Sequence, residues 1–198
     1  MNMLRTRSYA SNGFSVMEVI VAIGIVAIVS AAAFSLLAAS LRVNRNIRSA
    51  LVASSLAEEG MELVRSIRDS NWIVGNIGDG TTCTAGSGQW RQGLCPGTYI
   101  MNYSDTALQS GSALLYRRGS SPTGYYTHSS AGNAPTPFRR EIIITNATDD
   151  PLTSRNETIF EVIVAVRVYW CRKGDQPCPI AQENSLHVEE RLRNWLGT

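Results

Sequence analysis

Residues 19–41 read VIVAIGIVAIVSAAAFSLLAASL, and no charged residue occurs between Glu18 and Arg42. At ~1.5 Å per residue a helix over this stretch is long enough to cross a ~30 Å hydrocarbon core. An uninterrupted apolar run of this length is rare in the buried helix of a soluble protein, so the stretch is read as a membrane span. A cleaved secretory signal is the competing reading. Arg5 and Arg7 supply a basic segment, and residues 31–33 (AAA) and 38–40 (AAS) could pass as cleavage sites. The apolar run exceeds the 7 to 15 residues usual for such signals, and the residues after it do not look like the start of a mature domain.

Downstream, residues 42–72 continue without proline, and Val43, Ile47, Ala50, Ser54, Ala57, Met61 and Val64 recur in steps of four and three. Arg45, Arg48, Glu58, Glu59, Glu62 and Arg65 lie largely off that face, the pattern of an amphipathic helix. Span and amphipathic segment therefore read as one helix from about residue 16 to about residue 70, roughly 80 Å long. Gly24 and Gly60 are modest local costs within it. So long a rod is expensive as a mere anchor and makes better sense as a packing element.

After Trp72 the composition changes. Residues 73–97 and 119–137 are rich in Gly, Ser, Thr and Pro and read as loops. In residues 159–171, Phe160, Val162, Val164, Val166, Val168 and Trp170 alternate with residues that include Glu161 and Arg167, giving a strand with one apolar face, the natural partner of the amphipathic half of the rod. Residues 140–145 and 99–103 are candidate neighbours, with 114–117 a weaker one and 186–195 closing the sheet. The loops suit hairpins better than helical crossovers, so antiparallel pairing is expected. The expected class is α+β: a long N-terminal helix, transmembrane and then amphipathic, packed on a C-terminal antiparallel β-sheet.

Charge and cysteine set the surroundings. Lys plus Arg number 18 against 16 Asp plus Glu, a formal net charge of +2, too small an electrostatic footprint to make nucleic acid the primary partner. Every basic residue is Arg except Lys173. Arg5 and Arg7 before the span are outnumbered by Arg42, Arg45 and Arg48 after it, so the positive-inside rule does not decide orientation. Cys83, Cys95, Cys171 and Cys178 all lie beyond the rod, and their even number in a loop-rich domain suggests disulfides and an oxidising compartment. The C-terminal domain is accordingly placed outside the cytoplasm. Three connectivities exist; the sequence-local pairs Cys83 with Cys95 and Cys171 with Cys178 are preferred because each closes a loop holding turn residues. The alternative, a structural zinc site, lacks the short ligand spacing of zinc ribbons.

The head of the span carries the most specific motif. Residues 11–18, SNGFSVME, followed by VIVAIGIVAIV, resemble the class III signal of type IV pilins and pseudopilins. The resemblance implies a prepilin peptidase cutting between Gly13 and Phe14, N-methylation of Phe14, and retention of the hydrophobic segment. It also implies a role for Glu18 in subunit assembly, as the acidic fifth mature residue paired with the ammonium of a neighbouring subunit. From position alone, Glu18 could equally snorkel to the interface. The family's usual proline, at the twenty-second mature residue, would fall at Ser35, so a straighter helix is expected. Ala27, Ala31, Ser35 and Ala39 form a ridge of small residues at four-residue spacing. Residues 56–72, with VRVYW at 166–170 and RNW at 193–195, look like minor pilins of the type IV pilus modification group.

The domains so implied are a leader (1–13), a long helix (14–72) with its transmembrane half at 19–41, and an extracytoplasmic β-rich domain (73–198). The implied function is a minor pilin or pseudopilin, a structural subunit of a type IV pilus or related filament. The implied partners are the prepilin peptidase, other pilin subunits, an inner-membrane assembly platform and, before assembly, membrane lipid. The precursor would be single-pass in the inner membrane and the assembled subunit part of a surface pilus or periplasmic pseudopilus. A membrane-anchored adhesin, with the Cys83 to Cys95 loop or the Tyr125-Tyr126 loop touching ligand, and a pseudopilin of secretion or competence machinery are the alternatives.

Nothing points to catalysis, a metal or a cofactor. No metalloprotease helix motif, Gly-x-Ser-x-Gly elbow or phosphate-binding Gly-rich loop occurs. His128 and His187 lie near no plausible nucleophile in sequence, so each reads as structural or solvated, and Asp149-Asp150 before Pro151 reads as a turn rather than a calcium site. Trp72, Trp90, Trp170 and Trp195 could include a carbohydrate-stacking site, although at least two have core periodicity.

Overall fold

The computed structural model describes residues 13, 15–119, 124–147, 161–171 and 183–194. One α-helix, α1 (Val16–Ile73), runs unbroken through the apolar stretch and into the amphipathic one. At Ser35, where the resemblance would place a proline, the helix continues, and the Ser35 hydroxyl donates to the Ala32 carbonyl at 2.7 Å. The hydroxyl is thus satisfied within its own helix. The helix stops at a glycine. Gly75, at φ 84°, donates to the Trp72 carbonyl at 3.0 Å, and Asn76 donates to the Asn71 carbonyl at 2.8 Å, so a Schellman turn takes up two of the last free carbonyls.

By its internal contacts the chain divides into two compact units, residues 1–45 and 46–198. In the first, no residue of the apolar window is buried within the chain. The second is built on a six-stranded sheet of β1 (Gly97–Tyr99), β2 (Leu114–Arg118), β3 (Tyr125–Thr127), β4 (Ala134–Asn146), β5 (Glu161–Cys171) and β6 (Glu183–Arg193). The order is β3-β2-β4-β5-β6, with β1 pairing the C-terminal part of β4, and all named pairings are antiparallel. In register, Ile142 faces Val166, which faces Val188.

Strand alternation puts Phe138, Ile142 and Ile144 of β4 on one face with Val162, Val164, Val166, Val168 and Trp170 of β5. Ala53, Leu56, Ala57, Met61, Val64 and Ile67 of α1 share one buried cluster with that face. Val43, Ile47 and Ala50, which share the same helical periodicity, are exposed, so the sheet-covered stripe begins at Ala53. At Gly60 the helix comes closest to the sheet: a Cβ there would stand 2.9 Å from Val166 Cγ1 and 3.3 Å from Arg140 Cδ.

Two strand readings need correction. Residues 119–137 are not all loop, because they hold β3 and the start of β4. The strand expected at 99–103 lies earlier, at Gly97–Tyr99, with Ile100 forming only an isolated bridge to Gln109. Prolines hid the start of β4. Pro135 is in register with Tyr116 of β2, and among the described residues β5 pairs with β4 from Phe138, opposite Trp170, onward.

Candidate functional site

The candidate site is the head of α1. Ser15 precedes the helix, and its backbone carbonyl accepts from Glu18 N at 3.0 Å and Val19 N at 3.2 Å. Ser15 and Glu18 therefore stand at the spacing of a capping box, and the Glu18 carboxylate lies in the first turn, where the helix dipole favours negative charge. Glu18 is exposed, and no described residue forms an ion pair with it. Phe14, the expected site of methylation, lies outside the described residues.

Gly13 is exposed, and among the described residues a Cβ there would meet nothing within 4 Å. Beyond Glu18 the side chains of Ile20, Val21, Ile23, Ile25, Val26, Ile28, Val29, Phe34, Leu36, Leu37 and Leu41 are all exposed. A water-facing surface of this composition would carry a large hydrophobic penalty, so the stretch requires lipid or other helices around it.

The 46–198 unit holds its part of α1 by charge as well as by packing. Arg140 and Glu190 sit on the sheet face that meets the helix, in register with Val168 and Val164. Arg140, 1% exposed, donates to the carbonyls of Leu56 at 3.2 Å and Met101 at 2.7 Å and pairs with Glu59 at 3.2 Å. Glu190 accepts from Nε and Nη2 of Arg65, whose Nη1 donates to Glu62; the Nε contact to Glu190 is 3.1 Å. At the helix end Asn71 donates to the carbonyls of Trp90 at 3.1 Å and Gln92 at 2.8 Å. Those carbonyls belong to the loop closed by the Cys83–Cys95 disulfide, and Trp90 within it is fully buried.

Of the remaining cysteines, Cys171 is disulfide-bonded, and Cys178, its expected partner, lies outside the described residues. The sequence-local pairing of Cys83 with Cys95 stands. Trp90 and Trp170 are core residues and Trp72 packs against the core, so none of the three forms an open stacking platform. Trp195 and Asp149-Asp150 lie outside the described residues.

Of the two roles open to His128, the structure assigns the structural one. Its Nδ1 meets the Ser112 carbonyl at 3.1 Å, so Nδ1 carries the proton. Its backbone N donates to Asn102 Oδ1 at 2.7 Å, and Asp105 in turn accepts from Asn102 N at 2.8 Å and Nδ2 at 2.9 Å. Burial, and then the nearby Arg140 cation, push the His128 ring down to about 4. Sequence reasoning missed Arg140 as a tie between sheet and helix. An arginine at the head of an apolar strand-like run was the available signal.

Comparison with protein-family models, curated proteins and solved structures finds no match to this chain.

Proposed function

We infer that the chain is a minor pilin or pseudopilin, a structural subunit of a type IV pilus or related filament and not an enzyme. One observation carries the reading: a single helix is unburied and charge-free along residues 19–41, yet fixed to an antiparallel sheet from Ala53 onward. An ordinary anchor needs no continuation into the core of its domain. A subunit that must be lifted out of lipid by its folded part, and then packed among sister helices, does.

Gly13 and Glu18 support the reading. No described residue crowds Gly13, and a peptidase that cuts after glycine accounts for this residue, with cleavage leaving Phe14 as the N-terminus. The new ammonium would then stand near Glu18, which has no cationic partner among the described residues. In lipid, a carboxylate near an apolar helix end gains from a positive partner, and in a filament a neighbouring subunit supplies one. The partners of this reading are the prepilin peptidase, other pilin subunits and an inner-membrane assembly platform. The 46–198 unit would lie outside the cytoplasm, consistent with its disulfide.

The test is Glu18→Ala in the full chain. The variant should remain in the membrane fraction at wild-type level while its recovery in sheared filaments falls at least tenfold. Equal recovery in filaments would contradict the assembly role.

A further inference from the structure

Arg42, Arg45 and Arg48 stand immediately beyond the span, at i, i+3 and i+6 on α1, and all three are exposed. No described carboxylate pairs with any of them, and along the sequence the nearest acids are Glu18 at the far end of the span and Glu58 beyond. If the domain after the span is extracytoplasmic, these three positive charges oppose the usual distribution, with only Arg5 and Arg7 on the other side. A topological disadvantage of this kind calls for a compensating contact.

We propose that Arg42, Arg45 and Arg48 form a collar that binds the phosphate groups of anionic phospholipids in the leaflet at the C-terminal end of the span. The proposal rests on the membrane reading of residues 19–41 and adds a lipid class to it. Depth selects the occupant. Residues 19–41 rise ~34 Å against a ~30 Å core, which sets Arg42 at the boundary. Arg45 and Arg48 lie only ~5 and ~9 Å further along, within or beside a headgroup layer roughly 5–8 Å thick. Long side chains of this type reach back to the interface while their stems cover apolar surface.

Chemistry selects the lipid class. A guanidinium offers two parallel N–H donors to one phosphate, and three of them on consecutive turns match a surface carrying excess negative charge better than a zwitterionic one. Each basic residue near an anionic surface contributes about 1 kcal/mol, a factor of about five in association. Held in this way, the subunit would remain seated at a fixed depth until the filament machinery withdraws it.

The full chain, reconstituted in phosphatidylcholine vesicles with spin-labelled phosphatidylglycerol or spin-labelled phosphatidylcholine, reports which lipid borders the helix. Protease protection in the same vesicles reports insertion. Wild type should favour phosphatidylglycerol by roughly fivefold or more, less so in high salt. Arg42→Gln/Arg45→Gln/Arg48→Gln should bring the preference near unity, Arg→Lys at the three positions should keep part of it, and Arg118→Gln should leave it unchanged.

An inserted wild-type chain without lipid preference overturns the collar while the membrane reading stands. A preference that survives the triple Gln change also overturns it. A chain that inserts in neither vesicle sinks both proposals. Should lipid preference be absent and the triple variant lose energy transfer between labelled copies, the arginines belong to a copy–copy contact and the collar is wrong.

Discussion

His128 shows what burial beside a cation does to a single titratable group. Free in an unfolded chain, the imidazole takes up a proton near pH 6.5. Folded, it resists protonation down to about 4 because it is buried and faces the Arg140 cation, with the Asp105 carboxylate pulling weakly the other way. The unfolded state therefore binds more protons between pH 6.5 and 4, so His128 contributes stability that is present above pH 6.5 and lost as the pH falls through that window. The loss should reach about 1 kcal/mol by pH 5, less than full linkage because the ring keeps some solvent access. Urea midpoints at pH 7 and pH 5 check this: His128→Gln should flatten the difference, and an unchanged difference would assign it to carboxylates. Nothing in the sequence around His128 marks it, because its environment is assembled from Asn102, Asp105, Ser112 and Arg140.

At the scale of elements, the question is why α1 sits on β4 and β5 in one register. An apolar stripe against an apolar face tolerates sliding by a turn, whereas the two cross-pairs Arg140 with Glu59 and Glu190 with Arg65 do not. Gly60, one residue from Glu59, is packed against Val166. Arg140→Ala should cost about 3 kcal/mol, from lost packing and from the carbonyls of Leu56 and Met101 losing their donor. Arg140→Met, which keeps the volume, should recover at least about half of that. Thermal unfolding of the full chain in detergent measures both; identical losses would show that charge and not volume dominates. The elements themselves were largely legible. An apolar run without charge announced α1, and the alternation from Val162 to Trp170 announced β5. The turn-like composition around Pro135 and Pro137 concealed the start of β4, which pairs there with β2. Equally hidden was where the helix face changes neighbours, since Val43 and Ile47 share the periodicity of Ala57 and Met61 yet lie outside the sheet-covered stripe.

For the whole molecule, the long apolar helix and the antiparallel sheet follow from composition and periodicity, and the Cys83–Cys95 bridge from cysteine spacing. The partner of the exposed helix face does not, because an apolar surface records only that water must be replaced and not by what. The functional reading adds one claim: the stem is trimmed at Gly13 and kept. Intact mass and N-terminal peptide analysis of the protein purified from its own membrane or filament fraction tests that claim directly. The account predicts a chain beginning at Phe14, bearing one methyl group on its amino terminus and retaining residues 19–41. A mature chain that begins at Met1, or after Ala33, would contradict it.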